Sequence, residues 1–390
     1  MHPPSRSIFI LACLLLAALL TPAPSTTGAR PLAADTGTTV YLPLVAHPLM
    51  PLGIVTGPAE LSATLAQAGQ GLDPGYRAIK SLLQRADKGL LGAPCATAFY
   101  TTVAVDCLNA ASEYSYALAL AYQLTGDSRY SARAAEYLRA WSGTLVAIDS
   151  VDDQPQLDWS RMAPAMVWGA DLLEGSPSWS AADRAQLSAM LVNIVLPKAR
   201  QAAQRWNNWA DAGNLLRLSI AVYTGLPDER AAAIADWKLR LDGLSQPGGG
   251  WLYGMLPDGS LAEENRRDLD GLSYNQGALS LKTVFAEILR RRGDPSLYAY
   301  RTPRGVGLKN GWDFLAPQVV NANAGICTWP YTASRCVSYA NKSGWEIAYA
   351  YWHSPAYLGP IALHRPYPWS NWADPGYSTV LFGAVDLSGG

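Results

Sequence analysis

Charge of one sign is what this chain lacks most clearly: 30 Lys and Arg stand against 31 Asp and Glu, for a formal net charge of −1. No basic domain or arginine run stands out, which argues against a nucleic-acid footprint. Histidine is scarce as well, with four in 390 residues, and two of those (His2 and His47) precede residue 59. No H-E-x-x-H, P-loop or G-x-S-x-G stretch occurs, which weakens zinc-protease, nucleotide-dependent and serine-hydrolase chemistry together. Neither a cofactor nor a resident metal is expected. Phenylalanine is rare, five against 14 Trp and 20 Tyr. Most of those Trp and Tyr should fill helix interfaces, but aromatics with a polar edge also serve carbohydrate clefts as flat platforms.

Long hydrophobic runs are confined to one. Arg6 precedes "IFILACLLLAALL", and "TPAPSTTGA" follows with small residues for cleavage. Residues 1–29 therefore read as a signal peptide, too short for a comfortable membrane span. This predicts a secreted or cell-envelope protein with no stable membrane insertion after signal removal. Residues 30–58, rich in Pro, Thr and Gly, read as a linker or arm in which "TTVYLPLVA" could pair as a strand. Residues 59–390 are then one folded domain. Of the five cysteines, Cys13 lies inside the apolar run, and the others form two local pairs, Cys95 with Cys107 and Cys327 with Cys336. Close pairs in an exported chain favour disulfides. Zinc is the competing reading, without a nearby histidine or a C-x-x-C spacing.

From about Leu61 the pattern is helical. "SEYSYALALAYQLTG" stops at Gly126, and Asp127 caps the helix that follows. The same device recurs at Gly225 with Pro227 and at Gly293 with Pro295, and Ser180 with Asp183 begins a capping-box-like helix start. Helix, glycine turn, helix over some 300 residues predicts stacked helical hairpins. The expected fold is all-α, an (α/α) toroid or incomplete barrel with few or no strands. Strand signals are confined to the arm and the aromatic C-terminal segment. The extended stretch "QPGGGWLYGMLPDGS" is expected at the central cleft.

Two stretches carry chemistry. In "RWNNWADAGNLL", the amides Asn207 and Asn208 stand at a helix start, where N-capping is the bland use of Asn. The other use is an uncharged N–H donor aimed at a carboxylate or an enolate-like oxyanion. In "EENRRDLDGLSYNQGAL", Arg267 precedes Tyr274 by seven residues, nearly two turns of one helix. On one helix face, a guanidinium and a phenol would share a cleft, with Glu264 orienting the guanidinium by an i,i+3 pair.

"NNW" before an apolar helix, followed by "PDGSLAEENRRDLDGLSYNQGALSLKTVFAEIL", resembles the alginate lyase-like superfamily of polysaccharide lyases. That group shows an Asn-Asn-His stretch, then D-G-x-L-x-x-E-x-x-R, then a Tyr seven residues after the Arg. The matching positions here are Asp258, Gly259, Leu261, Glu264, Arg267 and Tyr274. "KNGWDFLAP" and "GWEIAYAYW" also look like the family, and the likeness covers most of residues 60–385. It implies an α/α toroid that cleaves a uronic-acid polymer by β-elimination, its partner being an anionic polysaccharide.

Elimination removes a poorly acidic proton beside a charged carboxylate, so neutral amides and a cation must stabilise the charge that develops. A base must take that proton and an acid must protonate the departing oxygen. Tyr274, Arg267, Asn208 and Asn207 are the expected catalytic group. Trp209, Glu264, Arg161 and His353 are the substrate-side candidates; for Arg161 a plain salt bridge competes. The chain departs from the family at Trp209, which stands where the motif has His and which cannot take a proton. Either Tyr274 serves as both base and acid, or His353 or His364 supplies an imidazole, or the protein only binds. Glycoside hydrolysis by two carboxylates is the rival enzyme class. Asp152, Asp153, Asp158, Asp171, Glu263, Glu264, Asp268 and Asp270 offer acids that spacing does not mark as a pair.

Overall fold

The structure is a computed structural model that describes residues 53–247, 249–328, 330, 336, 342–371 and 376–386. The signal peptide and almost all of the arm, including its strand-like stretch, lie outside the described residues.

Helices dominate. The first pair, α1 (Pro58–Gly69) and α2 (Gly75–Leu91), leads to the hairpin of α3 (Val105–Thr125) and α4 (Ser128–Ser142). Gly126, left-handed at φ 72°, ends α3, and Asp127 accepts the Arg129 N–H at 2.9 Å to start α4. Next come α5 (Gln154–Leu172), α6 (Ala181–Met190), α7 (Leu196–Ala203) and α8 (Asn208–Thr224). Ser180 and Asp183 form the capping box of α6. Then follow α9 (Pro227–Asp242), α10 (Gly271–Arg291), α11 (Ser296–Ala299) and α12 (Leu308–Asn323). The C-terminal helices are α13 (Gly344–Trp352), α14 (Leu358–His364) and α15 (Ser378–Phe382).

The packing closes a ring. Helix α3 packs on α5, α5 on α8, α8 on α10, α10 on α13, α13 on α15, and α15 on α2, which returns to α3. Outside this ring, α4 lies on α3, α7 and α9 on α8, and α12 on α10. The architecture is the α/α toroid expected from the hairpin pattern. Inner helices are buried on nearly all sides, so their sequences run apolar without a polar stripe. Tight approach is met by small residues: a Cβ on Gly213 of α8 would come within 2.6 Å of the Ala199 carbonyl oxygen of α7. Five tryptophans, at 141, 159, 168, 312 and 345, are fully buried, with Trp141 edge-on to Trp159 at 5.2 Å. For these the aromatic bias reflects packing rather than sugar binding.

One end of the ring is plugged by residues 53–57. Ile54, Val55 and Thr56, read from sequence as arm, are buried. The Ile54 N–H donates to Asp171 at the end of α5 (2.7 Å), and Arg291 at the end of α10 donates to the Gly53 carbonyl (3.0 Å). The C-terminal ends of these inner helices therefore sit on the plug.

Strands are few but lie elsewhere than expected. A two-residue parallel pair joins Phe99–Tyr100 to Ala147–Ile148, and an antiparallel hairpin joins Leu244–Ser245 to Trp251–Tyr253. None occurs among the described residues of the C-terminal segment, where Trp and Tyr pack helix ends instead.

Both cysteine pairs are disulfides, Cys95–Cys107 and Cys327–Cys336, with Cα separations of 5.7 and 5.5 Å. The first closes a loop of 12 residues, for which chain entropy gives about 3 kcal/mol of stability. Replacing Cys95 and Cys107 by Ser should lower unfolding stability by about that amount, read by chemical denaturation against wild type. An unchanged midpoint would show that the loop is already ordered without its bridge.

Candidate active site

Helix α8 starts where the sequence places two amides. Asn207 has extended backbone and its Oδ1 accepts the Trp209 N–H at 3.1 Å, so this residue is the N-cap. Asn208, the first helical residue, is 3% exposed, and its backbone N–H donates to Glu264 Oε1 at 2.8 Å. Its side-chain Oδ1 is buried with no hydrogen-bond partner among the described residues. The Asn208 amide is thus not committed to holding the fold, whereas the Asn207 oxygen is.

Glu264 links two segments. Its other oxygen, Oε2, lies 3.4 Å from Arg267 Nε, and the Arg267 guanidinium stands over the Tyr274 ring, 4.8 Å from its centroid. Burial pushes the Glu264 carboxyl up, an effect opposed by Arg267 and by the Asn208 backbone N–H. Contacts therefore run unbroken from the α8 N-terminus through Glu264 and Arg267 to Tyr274, which is half-buried in the first turn of α10.

The route by which Arg267 meets Tyr274 differs from the sequence expectation of one continuous helix. Arg267 lies in a short 3-10 segment, Asn265–Asp270, and Asp268 breaks the spiral with φ 51° and ψ −124° before α10 begins at Gly271. A seven-residue spacing on one α-helix is not what brings the pair together; a kink does. What fixes the kink is a polar knot at the D-G-x-L turn. Asp258 accepts the Ser260 N–H (2.9 Å) and hydroxyl (2.8 Å), and Asn275 Oδ1 accepts the Leu261 N–H at 2.7 Å. Asn275 Nδ2 also donates to Asn265 Oδ1, and Asn265 donates to Ser260 Oγ. Gly259 has φ 97°, and a Cβ there would lie 2.3 Å from the Asn310 carbonyl oxygen. The turn is thereby tied to the helix that carries Tyr274. Sequence reasoning missed Asn275; the only available signal was its place next to Tyr274.

A buried ionic layer underlies the site. Lys282 of α10 pairs with Asp211 of α8, both side chains almost fully buried. Glu263 is buried and accepts the Gly254 N–H at 2.7 Å. Burial first, and then the Glu264 carboxylate, push its carboxyl up to about 8. With Glu263 and Glu264 both buried and hydrogen-bonded inward, neither is presented as half of a hydrolase pair. The folded protein holds the Glu263 proton to about pH 8, whereas the unfolded chain releases it near 4.5. The folded state therefore binds more protons across that window, and stability declines as pH rises from about 4.5 to 8. Glu263→Gln, which does not titrate, should flatten this decline; thermal midpoints across the window are the measurement. A slope equal to wild type would assign the proton elsewhere.

A family model described as alginate lyase matches residues 103–324. The chain belongs to the alginate lyase family. By that membership it is a polysaccharide lyase. Solved structures share its fold at low identity. An alginate lyase from Bacteroides ovatus is 17% identical with a TM-score of 0.66, covering 85% of this chain and 98% of that one. Alginate lyase A1-III from Sphingomonas species A1 is 16% identical at 0.66, covering 85% and 95%. A histidine-to-alanine variant of A1-III complexed with tetrasaccharide is 17% identical at 0.67, covering 85% and 94%. No curated protein matches.

Within this alginate lyase-family chain, the remaining candidates are held differently from the Asn208–Tyr274 series. Trp209 is half-buried, with the Arg205 guanidinium 4.9 Å from its ring centroid and Arg205 paired in turn with Asp153. Arg161 donates to Asp158 Oδ1 at 3.1 Å on α5, and Asp158 also accepts the Tyr100 hydroxyl at 3.1 Å. His353 ends α13 in left-handed backbone, and its Nε2 lies 2.8 Å from Asp386 Oδ1 at an exposed position. Burial lowers the His364 imidazole at the end of α14. The hairpin 244–253 joins the site from the side: Tyr253 packs on Trp206, 5.3 Å between ring centroids, and Arg266 lies over Tyr253 at 5.2 Å. Trp206 precedes the paired amides and Arg266 precedes Arg267, so this stack bridges the two segments. Among the described residues no group of three or more His, Cys, Asp or Glu could hold a metal ion.

Proposed function

We propose that the protein is an exported lyase that cleaves a uronic-acid polymer by β-elimination, with Tyr274 as base and acid. The Tyr274 oxygen takes the proton from the carbon beside the sugar carboxylate. That C–H electron pair becomes the new double bond, the glycosidic C–O bond breaks, and the departing oxygen regains a proton from Tyr274. Asn208 supplies an uncharged donor to the carboxylate as negative charge builds on it. Arg267, over the phenol ring, balances that charge and holds the carboxylate beside the base. Asn207 orders the helix start, and Trp209 and Arg205 offer a flat cationic flank to the sugar. With Trp209 in the family's histidine position, the proton transfers fall to the phenol.

One observation carries this reading: the contact series Asn208–Glu264–Arg267–Tyr274. Two variants of alginate lyase A1-III complexed with tetrasaccharide support an oligosaccharide ligand for this fold. Export rests on the apolar run after Arg6 and on two disulfides, which suit an oxidising compartment. The test is incubation with alginate, glucuronan, hyaluronan and chondroitin while ultraviolet absorbance is recorded. A rise from unsaturated uronate with at least one polymer is expected. New reducing ends without that absorbance would sink the reading.

A further inference from the structure

A cavity lies at the C-terminal end of α8, opposite the end that carries Asn208. That helix is 17 residues long, about 25 Å along its axis. There, Ala221, Val222, Leu226 and Pro227 wall a cavity of about 260 Å³ into which Arg230 of α9 and Arg292, just past α10, both project.

These two arginines differ from most in the chain. Ion pairs occupy most other arginines, yet among the described residues the Arg230 and Arg292 side chains have no ion pair and no hydrogen bond. Arg292 Nε is buried and unpartnered, and burial works against its charge. Leaving a buried charged donor unmade is costly. The acids within electrostatic reach are already engaged: Asp171 accepts the Ile54 N–H, and Asp294 accepts the Ser296 N–H at 3.1 Å. The other nearby cation, Arg291, is paired with Glu60. The sequence makes this arrangement from an uninterrupted "RRR" at the α10 end, of which Arg290 turns to Glu287, Arg291 to Glu60 and Arg292 to the cavity.

We propose that Arg230 and Arg292 form an oxyanion-binding site, separate from Tyr274 and its partners, for a carboxylate or phosphate no larger than a monosaccharide. Two guanidinium forks match the geometry of a carboxylate or phosphate. The cavity is smaller than the roughly 300–1,000 Å³ that holds drug-sized ligands, which excludes an oligosaccharide. Its apolar wall suits the body of a small acid. This site stands whether or not Tyr274 is the catalytic base.

Isothermal titration of the full chain with inorganic phosphate and, separately, with glucuronate tests it. Wild type should bind at least one probe at one equivalent, and the tighter probe names the source of the oxyanion. Arg230→Gln, at a half-buried position, and Val222→Phe, which narrows the cavity without touching charge, should each weaken binding about tenfold or more. Tyr274→Phe should bind as wild type. The proposal is overturned if neither probe binds, if both cavity variants bind as wild type, or if Tyr274→Phe removes binding.

Discussion

Tyr274→Phe should reduce the elimination rate on the best uronate polymer by about 10²- to 10⁴-fold, the usual share of positioned acid–base catalysis. The substitution removes one oxygen and keeps the ring under the Arg267 guanidinium, so the fold and the 4.8 Å stacking contact should persist. Polymer affinity should stay near wild type, because the hydroxyl acts on the reacting atoms rather than on the ground-state sugar. Initial rates by ultraviolet absorbance, with affinity by titration, give both numbers. A Phe variant at wild-type rate removes Tyr274 from the chemistry.

Asn208→Ala should cost about 10²- to 10³-fold in kcat, the typical loss when one oxyanion donor is removed. Its side chain makes no hydrogen bond that the fold depends on, and its backbone N–H to Glu264 survives in Ala. Thermal stability should therefore move little while turnover collapses, a split that a structural role would not give. Asn208→Asp should be at least as damaging, because a second carboxylate then opposes that of the sugar. Asn207→Ala should show the opposite pattern, losing helix-cap stability of about 1 kcal/mol. If Asn207→Ala loses more turnover than Asn208→Ala, the two amides have exchanged roles.

The hairpins were legible because glycine turns and caps are local: Gly126, Asp127, Ser180 and Gly225 each do in the structure what their neighbours in sequence imply. The two strand pairs were not, since each is two or three residues long, and the first joins loops nearly fifty residues apart in sequence. At the site, the spacing of Arg267 and Tyr274 suggested a contact for the wrong reason. Nothing local announces the left-handed Asp268, whose conformation depends on the Asn275 and Asn265 knot reaching back to the glycine turn. Burial was equally invisible. Glu263 read as one more acid in a charged run and Glu264 as an i,i+3 partner of Arg267; tertiary packing makes the first a proton holder and turns the second into a strut that also reaches α8.

Mass spectrometry of the fragments released from the responsive polymer asks whether water is a reactant. Elimination forms a double bond without water, so the two fragments of each cleavage should together weigh the same as their parent chain, one of them carrying an unsaturated non-reducing end. Fragments that together exceed the parent by one water per cleavage, with no unsaturated end, would contradict a β-elimination site at Tyr274.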